Sequence, residues 1–356
     1  MILMNDQIIH NLNARLVHDF TGNFDVGLFN GKVGIVVYFY LLYSYTKKDE
    51  YRQEADRLLT GIFEGGLTEE AGLSVGNGLC GVGLGLDYLI HKGYVKGDVN
   101  MLLSDIDSIL FKTMFFDRPD EDRKKYRLHE IIQILYYLYR RIKCQESHED
   151  TEIFCEMAFS LLNLVAEKMD FSFFEEPYSF NSVDYHVPQL IRVLSLYQNS
   201  DISIWRDKYL RRTSKILGQV SRLLFSHYPR LNINRLYLYW GLLPLMGFSG
   251  EWKRYTNLVR QNIGIDYILS YELRSRDIFF SNGISFLYWI LKSIQTDYPD
   301  SIQKFDFQVL YARIESSDAW DAFHNMGFYL GHRDLITGFP GVVLTMLDLR
   351  KLIYNT

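Results

Sequence analysis

Asn30-Gly31-Lys32-Val33-Gly34-Ile35 opens an aromatic and aliphatic run, and 47 residues later Asn77-Gly78-Leu79-Cys80-Gly81-Val82 opens another. The pattern returns near the far end, at Asn282-Gly283-Ile284-Ser285-Phe286 and, 55 residues on, at Thr337-Gly338-Phe339-Pro340-Gly341-Val342. Three weaker copies fill the interval: His129-Glu130-Ile131-Ile132, His186-Val187-Pro188-Gln189-Leu190 and Trp240-Gly241-Leu242-Leu243-Pro244. Anchored at 31, 78, 129, 186, 240, 283 and 338, the chain reads as seven units spaced 43 to 57 residues apart. A period of that size signals stacked copies of one supersecondary unit.

Each anchor begins a segment with helical spacing. Leu79, Val82, Leu86, Leu89 and Ile90 share one face, as do Leu128, Ile131, Ile132, Leu135 and Leu138. Between anchors lies a second helix with a clearer polar side. Ala55, Leu58, Leu59 and Ile62 mark one such stripe, and Phe154, Met157, Ala158, Leu161, Leu162 and Val165 another. The first of these outer helices is expected over Asp6 to Asp19. Breakers fall between helices at Gly65-Gly66, Arg118-Pro119-Asp120, Glu175-Glu176-Pro177, His227-Tyr228-Pro229 and Tyr298-Pro299-Asp300. No Ser/Gly-rich linker separates two halves, so residues 1–356 are expected to form a single domain of about fourteen helices. Asn-Gly also suits a type I′ hairpin turn, but the runs that follow extend about 14 residues, whereas strands stop near about 6.

An open stack needs polar terminal units. The last unit, Gly338 to Ile353, is as apolar at its start as the middle ones, which points to a closed all-α ring, an α/α toroid with an inner and an outer layer. Inner-helix starts would then crowd one mouth. Glycine there permits close approach, and Asn30, Asn77 and Asn282 are expected to accept from free N–H groups near the N-caps. The helix starts together would make a hydrogen-bond-donating floor.

Composition agrees with an ordered globule. The 356 residues are 48% hydrophobic and 23% charged, with only 7 prolines, which excludes disorder as the main theme. Lys and Arg number 38 against 43 Asp and Glu, a net charge of −5. No cationic surplus is read even locally, so nucleic acid is not an expected partner. The 55 aromatics include 26 tyrosines, rings suited to interhelix packing or a wet cavity. The longest apolar run, Ile35 to Tyr43, spans 9 residues, and a bilayer needs about 18. The amino terminus offers no basic region followed by an apolar one. Three cysteines, Cys80, Cys144 and Cys155, argue against a disulfide framework. A cytoplasmic location is expected.

Repeated Asn-Gly-x-x-Gly-Ile/Val starts over the whole chain resemble those of the lanthionine synthetase C-like (LanC-like) proteins. The resemblance implies an α/α toroid of seven inner and seven outer helices. It further implies peptide cyclisation by a zinc ion, held by two cysteines and a histidine, that activates a peptide thiol for addition to a dehydrated serine or threonine. One of those cysteines lies in a Trp-Cys-Tyr-Gly-like stretch at the fifth unit. The stretch Tyr237-Leu238-Tyr239-Trp240-Gly241 places Tyr239 there. The other two ligands belong to a Cys-His-Gly triplet at the sixth unit, where this chain has Ser281-Asn282-Gly283. A phenol, a hydroxyl and an amide are poor substitutes for thiolate and imidazole, so no metal and no cofactor are expected. Without the metal a thiol keeps a pKa of about 8.5 and loses most of its reactive fraction at neutral pH. At the fourth unit the family often carries His-Gly-x-Pro-Gly with a histidine suspected of proton transfer. Here Tyr185-His186-Val187-Pro188-Gln189 puts Tyr185 at that place and leaves His186 one position off, still a candidate proton carrier.

Tyr185, Tyr239, Trp240, Ser281, Asn282, His332 and Asp334 are the candidate substrate contacts, the last two from the loop before the seventh inner helix. The expected function is that of a metal-free LanC-like protein binding a peptide substrate or a peptide-modifying enzyme. An alternative is a carbohydrate-active toroid enzyme of glycosidase or epimerase type, built on acids near the helix starts: Asp25, Glu69, Glu70, Glu130, Asp184 and Asp334. A third is an interaction scaffold without a small ligand. Cys144, His148 and Cys155 straddle a charged turn and make a poor metal site. Gly81-x-Gly83-x-Gly85 lacks the preceding strand of a dinucleotide loop, and no HExxH, P-loop or GxSxG motif occurs.

Overall fold

The computed structural model describes residues 6–20, 25–116, 126–145, 147–199 and 206–354, with residues 6, 69, 148 and 206 described by their backbone alone. Among these the chain forms fourteen helices of eight residues or more. The described residues form no strand, and one isolated bridge joins Asp25 to Gly31. The helices are α1 (Asp6–Asp19), α2 (Lys32–Thr46), α3 (Asp49–Glu64), α4 (Leu79–His91), α5 (Val99–Phe111), α6 (Leu128–Cys144) and α7 (His148–Lys168). They continue with α8 (Val187–Gln198), α9 (Arg206–Leu224), α10 (Asn232–Leu242), α11 (Gly250–Gln261), α12 (Ile284–Asp297), α13 (Gln308–Glu315) and α14 (Phe339–Tyr354).

The helices alternate in character. In α2 every residue from Val33 to Tyr40 is buried, and in α4 every residue from Leu79 to Asp87. Apolar residues all round make a helix that can only sit inside. In α3 only Ala55, Leu58, Leu59 and Ile62 are buried, one stripe at three- and four-residue spacing. The Gly65-Gly66, Pro177, Pro229 and Pro299 breakers lie between helices, and Arg118-Pro119-Asp120 lies outside the described residues.

The chain divides into two compact units, Met1–Lys96 with Leu273–Thr356, and Gly97–Glu272. The first holds the first, second, sixth and seventh repeats, and one loop device recurs in all four. The N–H of the first helical residue donates to the carbonyl seven positions upstream: Lys32 to Asp25 at 2.8 Å, Leu79 to Gly72 at 3.0 Å, Ile284 to Asp277 at 2.9 Å and Phe339 to His332 at 3.0 Å. At Gly283 a side chain would place Cβ 2.1 Å from the Asp277 carbonyl oxygen, so the loop can close only over glycine. Adjacent loops then bond sideways. Ser281 N–H donates to Ile336 O, Leu335 to Phe29 O and Leu28 to Val75 O, all at 2.9–3.1 Å. The sixth repeat is thus tied to the seventh, the seventh to the first and the first to the second. The end of the chain meets its beginning, with α14 packed on α2.

This device corrects the expected role of the asparagines. Gly31, Gly78 and Gly283 are the N-caps and make no side-chain cap bond. Asn30 Nδ2 instead donates to Asn77 Oδ1 at 2.9 Å, joining neighbouring loops. The leading N–H groups of these four helices are already taken by carbonyls, so they do not supply the donating floor that bare helix starts would.

The second unit holds the third, fourth and fifth repeats, whose helix starts rely on side chains. Arg127 N–H, at the N-cap of α6, donates to Glu130 Oε2 at 2.8 Å. Pro188 occupies the first turn of α8, where its missing N–H is harmless. In α10 the N–H groups of Asn232 and Ile233 donate to the Glu272 carboxylate at 2.7 and 2.9 Å. The fifth anchor is therefore corrected: the helix begins at Asn232, and Trp240-Gly241 lies in its last turn. The expectation of no local cationic surplus is corrected as well. Helix α9 carries Arg206, Lys208, Arg211, Arg212, Lys215 and Arg222 against the single acid Asp207, a local excess that the net charge of the whole chain conceals.

Candidate functional site

In the second unit the starts of α6 and α8 bring two imidazoles together. His129, in the first turn of α6, stacks on His186, the N-cap of α8, with ring centres 4.7 Å apart and planes 11° from parallel. The buried Nδ1 of His186 has no hydrogen-bond partner. Burial first, and the adjacent His129 second, push His186 down to about 4, against the opposing pull of Gln189 and Asp184. Burial lowers His129 as well. Burial thus favours the uncharged form of both rings.

The histidine pair sets a prediction. Histidine-resolved NMR is expected to give His186 a midpoint of about 4, moving up toward the ordinary imidazole value in His129→Ala. An ordinary midpoint in the unaltered protein would contradict the desolvated stack. Since the folded value lies below the unfolded one, stability from this group is full above 6.5 and is lost as pH falls toward about 4.

Behind the pair, Tyr185 is buried edge-on to Tyr237, 6.3 Å between centres. Gln189 Nε2 donates to the Tyr237 hydroxyl at 2.9 Å, and Trp240 lies 5.7 Å from the same ring, under the Arg192 guanidinium. Tyr239 is 1% exposed and belongs to the core of α10. Glu176 and Arg230, not singled out from sequence, hold the entry to α10. The Glu176 carboxylate accepts from Arg230 Nε at 3.0 Å, from the Arg230 backbone N–H at 2.5 Å and from Asn234 Nδ2 at 3.0 Å. The Arg230 guanidinium lies 5.3 Å above the ring of Tyr178, which is 93% exposed.

In the first unit, Ser281 and Asn282 immediately precede the N-cap of α12, with Ser281 buried and Asn282 half-buried. His332 is held between Phe279 and Phe328, at 4.5 and 4.2 Å, and its Nδ1 donates to the Phe328 carbonyl at 2.8 Å. Asp334 accepts from Ile336 N–H, Thr337 N–H and the Thr337 hydroxyl. These two residues shape the loop before α14, each bonded to its own neighbourhood. Two other acids are similarly used: Glu130 caps α6, and Asp184 accepts from Asn181 Nδ2 at 2.6 Å. The side chain of Glu69 lies outside the described residues.

The donors do not fit zinc. Tyr239 sits inside α10, whereas Ser281 and Asn282 lie before α12, so they are not equivalent places in their repeats. The residues just before the N-cap of α10 are Pro229 and Arg230. Proline has no side-chain donor, and a guanidinium cannot be deprotonated to ligate. Among the described residues no group of three or more His, Cys, Asp or Glu is placed to hold a metal ion. Cys80 and Cys155 are buried and form no disulfide, and the side chain of His148 lies outside the described residues.

No family model matches the chain, and no curated protein matches it. Among solved structures, nisin cyclase matches over 99% of this chain and 94% of its own, with a TM-score of 0.59 at 13% identity. That likeness shows the fold, an all-α chain of the α/α-toroid class.

Proposed function

We propose that this chain, acting as a single domain, is a metal-free LanC-like protein. It binds a peptide substrate or a peptide-modifying enzyme in lanthipeptide-like biosynthesis and is not an active zinc cyclase. The reading is supported by the nisin cyclase fold joined to one observation: Pro229-Arg230 and Ser281-Asn282 stand before α10 and α12, where a soft metal would need thiolate and imidazole. Peptide contacts are assigned to His129, His186 and Arg230 of the second unit. His186, neutral and desolvated, is the proton acceptor for any step that remains. We place the protein in the cytoplasm. Among the described residues no helix is long and apolar enough to cross a membrane.

Metal analysis of the purified protein, paired with a thiol-addition assay on a dehydrated, cysteine-containing peptide, tests this. Substoichiometric zinc, saturable peptide binding and no acceleration of ring closure are expected. A stoichiometric, tightly held zinc that is lost in Asn282→Ala would overturn the reading.

A further inference from the structure

Lys208, Arg211, Arg212 and Lys215 follow one another on α9 at i, i+3, i+4 and i+7, a single helix face. With Asp207 and with Phe159 of α7 they line an open cavity of 440 Å³. The Lys208 ammonium lies 4.3 Å from the centre of the Phe159 ring, and Arg212 Nη2 donates to the Asn163 carbonyl at 3.4 Å. Among the described residues no ion pair joins Arg211, Arg212 or Lys215 to a carboxylate. Arg211 and Arg212 both repel Lys215, since like charges at these spacings face each other. A face that keeps such repulsion, in a chain of net charge −5, is suited to an external anion.

We propose that this face of α9 docks an acidic helical segment of a partner protein, with carboxylates at three- and four-residue spacing. The cations extend over about 10.5 Å of helix axis, the length over which Glu residues at i, i+3, i+4 and i+7 of a second helix present their charges. Phe159 supplies an apolar seat beside them. A membrane surface is disfavoured because α9 has no exposed large apolar side chain among its described residues, and interfacial helices need an apolar face to insert. Nucleic acid is disfavoured because two helical turns of cations meet few phosphates, and affinity follows the number neutralised. This inference is independent of the function proposed above.

The test is fluorescence anisotropy on the full chain with a labelled helical peptide carrying Glu at that spacing. Saturable binding is expected at about 50 mM salt, weakened at least about tenfold at about 300 mM. Arg211→Glu/Lys215→Glu should weaken it by a similar factor, the milder Arg211→Gln/Lys215→Gln by less, and the Gln version of the peptide should not bind. Both variants alter exposed positions, and their melting is checked alongside. Absence of saturable binding, or unchanged affinity in the charge-reversed variant, overturns the proposal. Tighter binding of duplex DNA or of phosphatidylserine vesicles than of the peptide overturns it as well.

Discussion

Asp348→Ala is expected to destabilise the protein by about 3 kcal/mol, the lower end of the cost of breaking a buried ion pair from one side. Asp348, on α14, is 8% exposed. Its carboxylate accepts from Tyr45 of α2 at 3.0 Å, from Tyr288 of α12 at 2.5 Å and from the ammonium of Lys292, also on α12. Three repeats, the sixth, seventh and first, therefore meet on one side chain. Burial, reinforced by the carboxylate itself, raises both phenols well above their ordinary value, so they remain donors at any pH the fold survives. Truncation leaves two hydroxyls and a cation without their acceptor. Lys292 is 31% exposed and regains part of its hydration, which is why the low end of the range applies. Asp348→Asn should cost less. Lys292→Met combined with Asp348→Ala should lose less than the two changes summed, because the stranded charge is gone. Denaturant midpoints measure all four. A loss below about 1 kcal/mol for Asp348→Ala would mean that the pair behaves as an exposed salt bridge.

Repeats were legible wherever the backbone itself caps the helix. At Gly31, Gly78, Gly283 and Gly338 a loop carbonyl passes so close that a side chain cannot be accommodated, and the same physical demand prints the same letters four times. The fifth repeat carries no such glycine signal because carboxylates cap α10, Glu272 at the helix start and Glu176 beside it. Nothing there requires glycine. Gly241 answers to a different contact, a Cβ falling 2.8 Å from the Pro188 carbonyl oxygen where α10 crosses α8. Pro229 followed by Asn232 carried a helix-start signal of its own. The candidate site was less legible than the fold. Sequence spacing marks His129 and His186 as anchors of neighbouring units, yet their stacking follows only once neighbouring starts are known to lie side by side, as Asn30 and Asn77 also do. His332 and Asp334 look like ligand groups in the sequence, but the aromatic sandwich and the turn they serve are made by residues whose positions only the fold supplies.

Gly81→Ala is expected to lower stability by about 3 kcal/mol, at or beyond the upper end of ordinary overpacking. An added Cβ would lie 2.1 Å from the Val75 carbonyl oxygen and 2.6 Å from the Leu28 nitrogen. Those two atoms are the acceptor and the donor of one hydrogen bond, 3.0 Å long, that ties the first loop to the second. A flexible side chain could yield, but two backbone atoms held by their own loops cannot do so without parting. Faster amide exchange at Leu28 should accompany the loss. Gly218, inside α9, gives the opposite expectation, because a Cβ there meets nothing within 4 Å. Gly218→Ala should stabilise by about 0.5–1 kcal/mol through helix propensity and a less disordered unfolded chain. One substitution, made at two helical glycines, is thus expected to change sign. A neutral Gly81→Ala would show that the loops can move apart, and the sideways hydrogen bonds would then be a consequence of helix packing within the first unit rather than what fixes it.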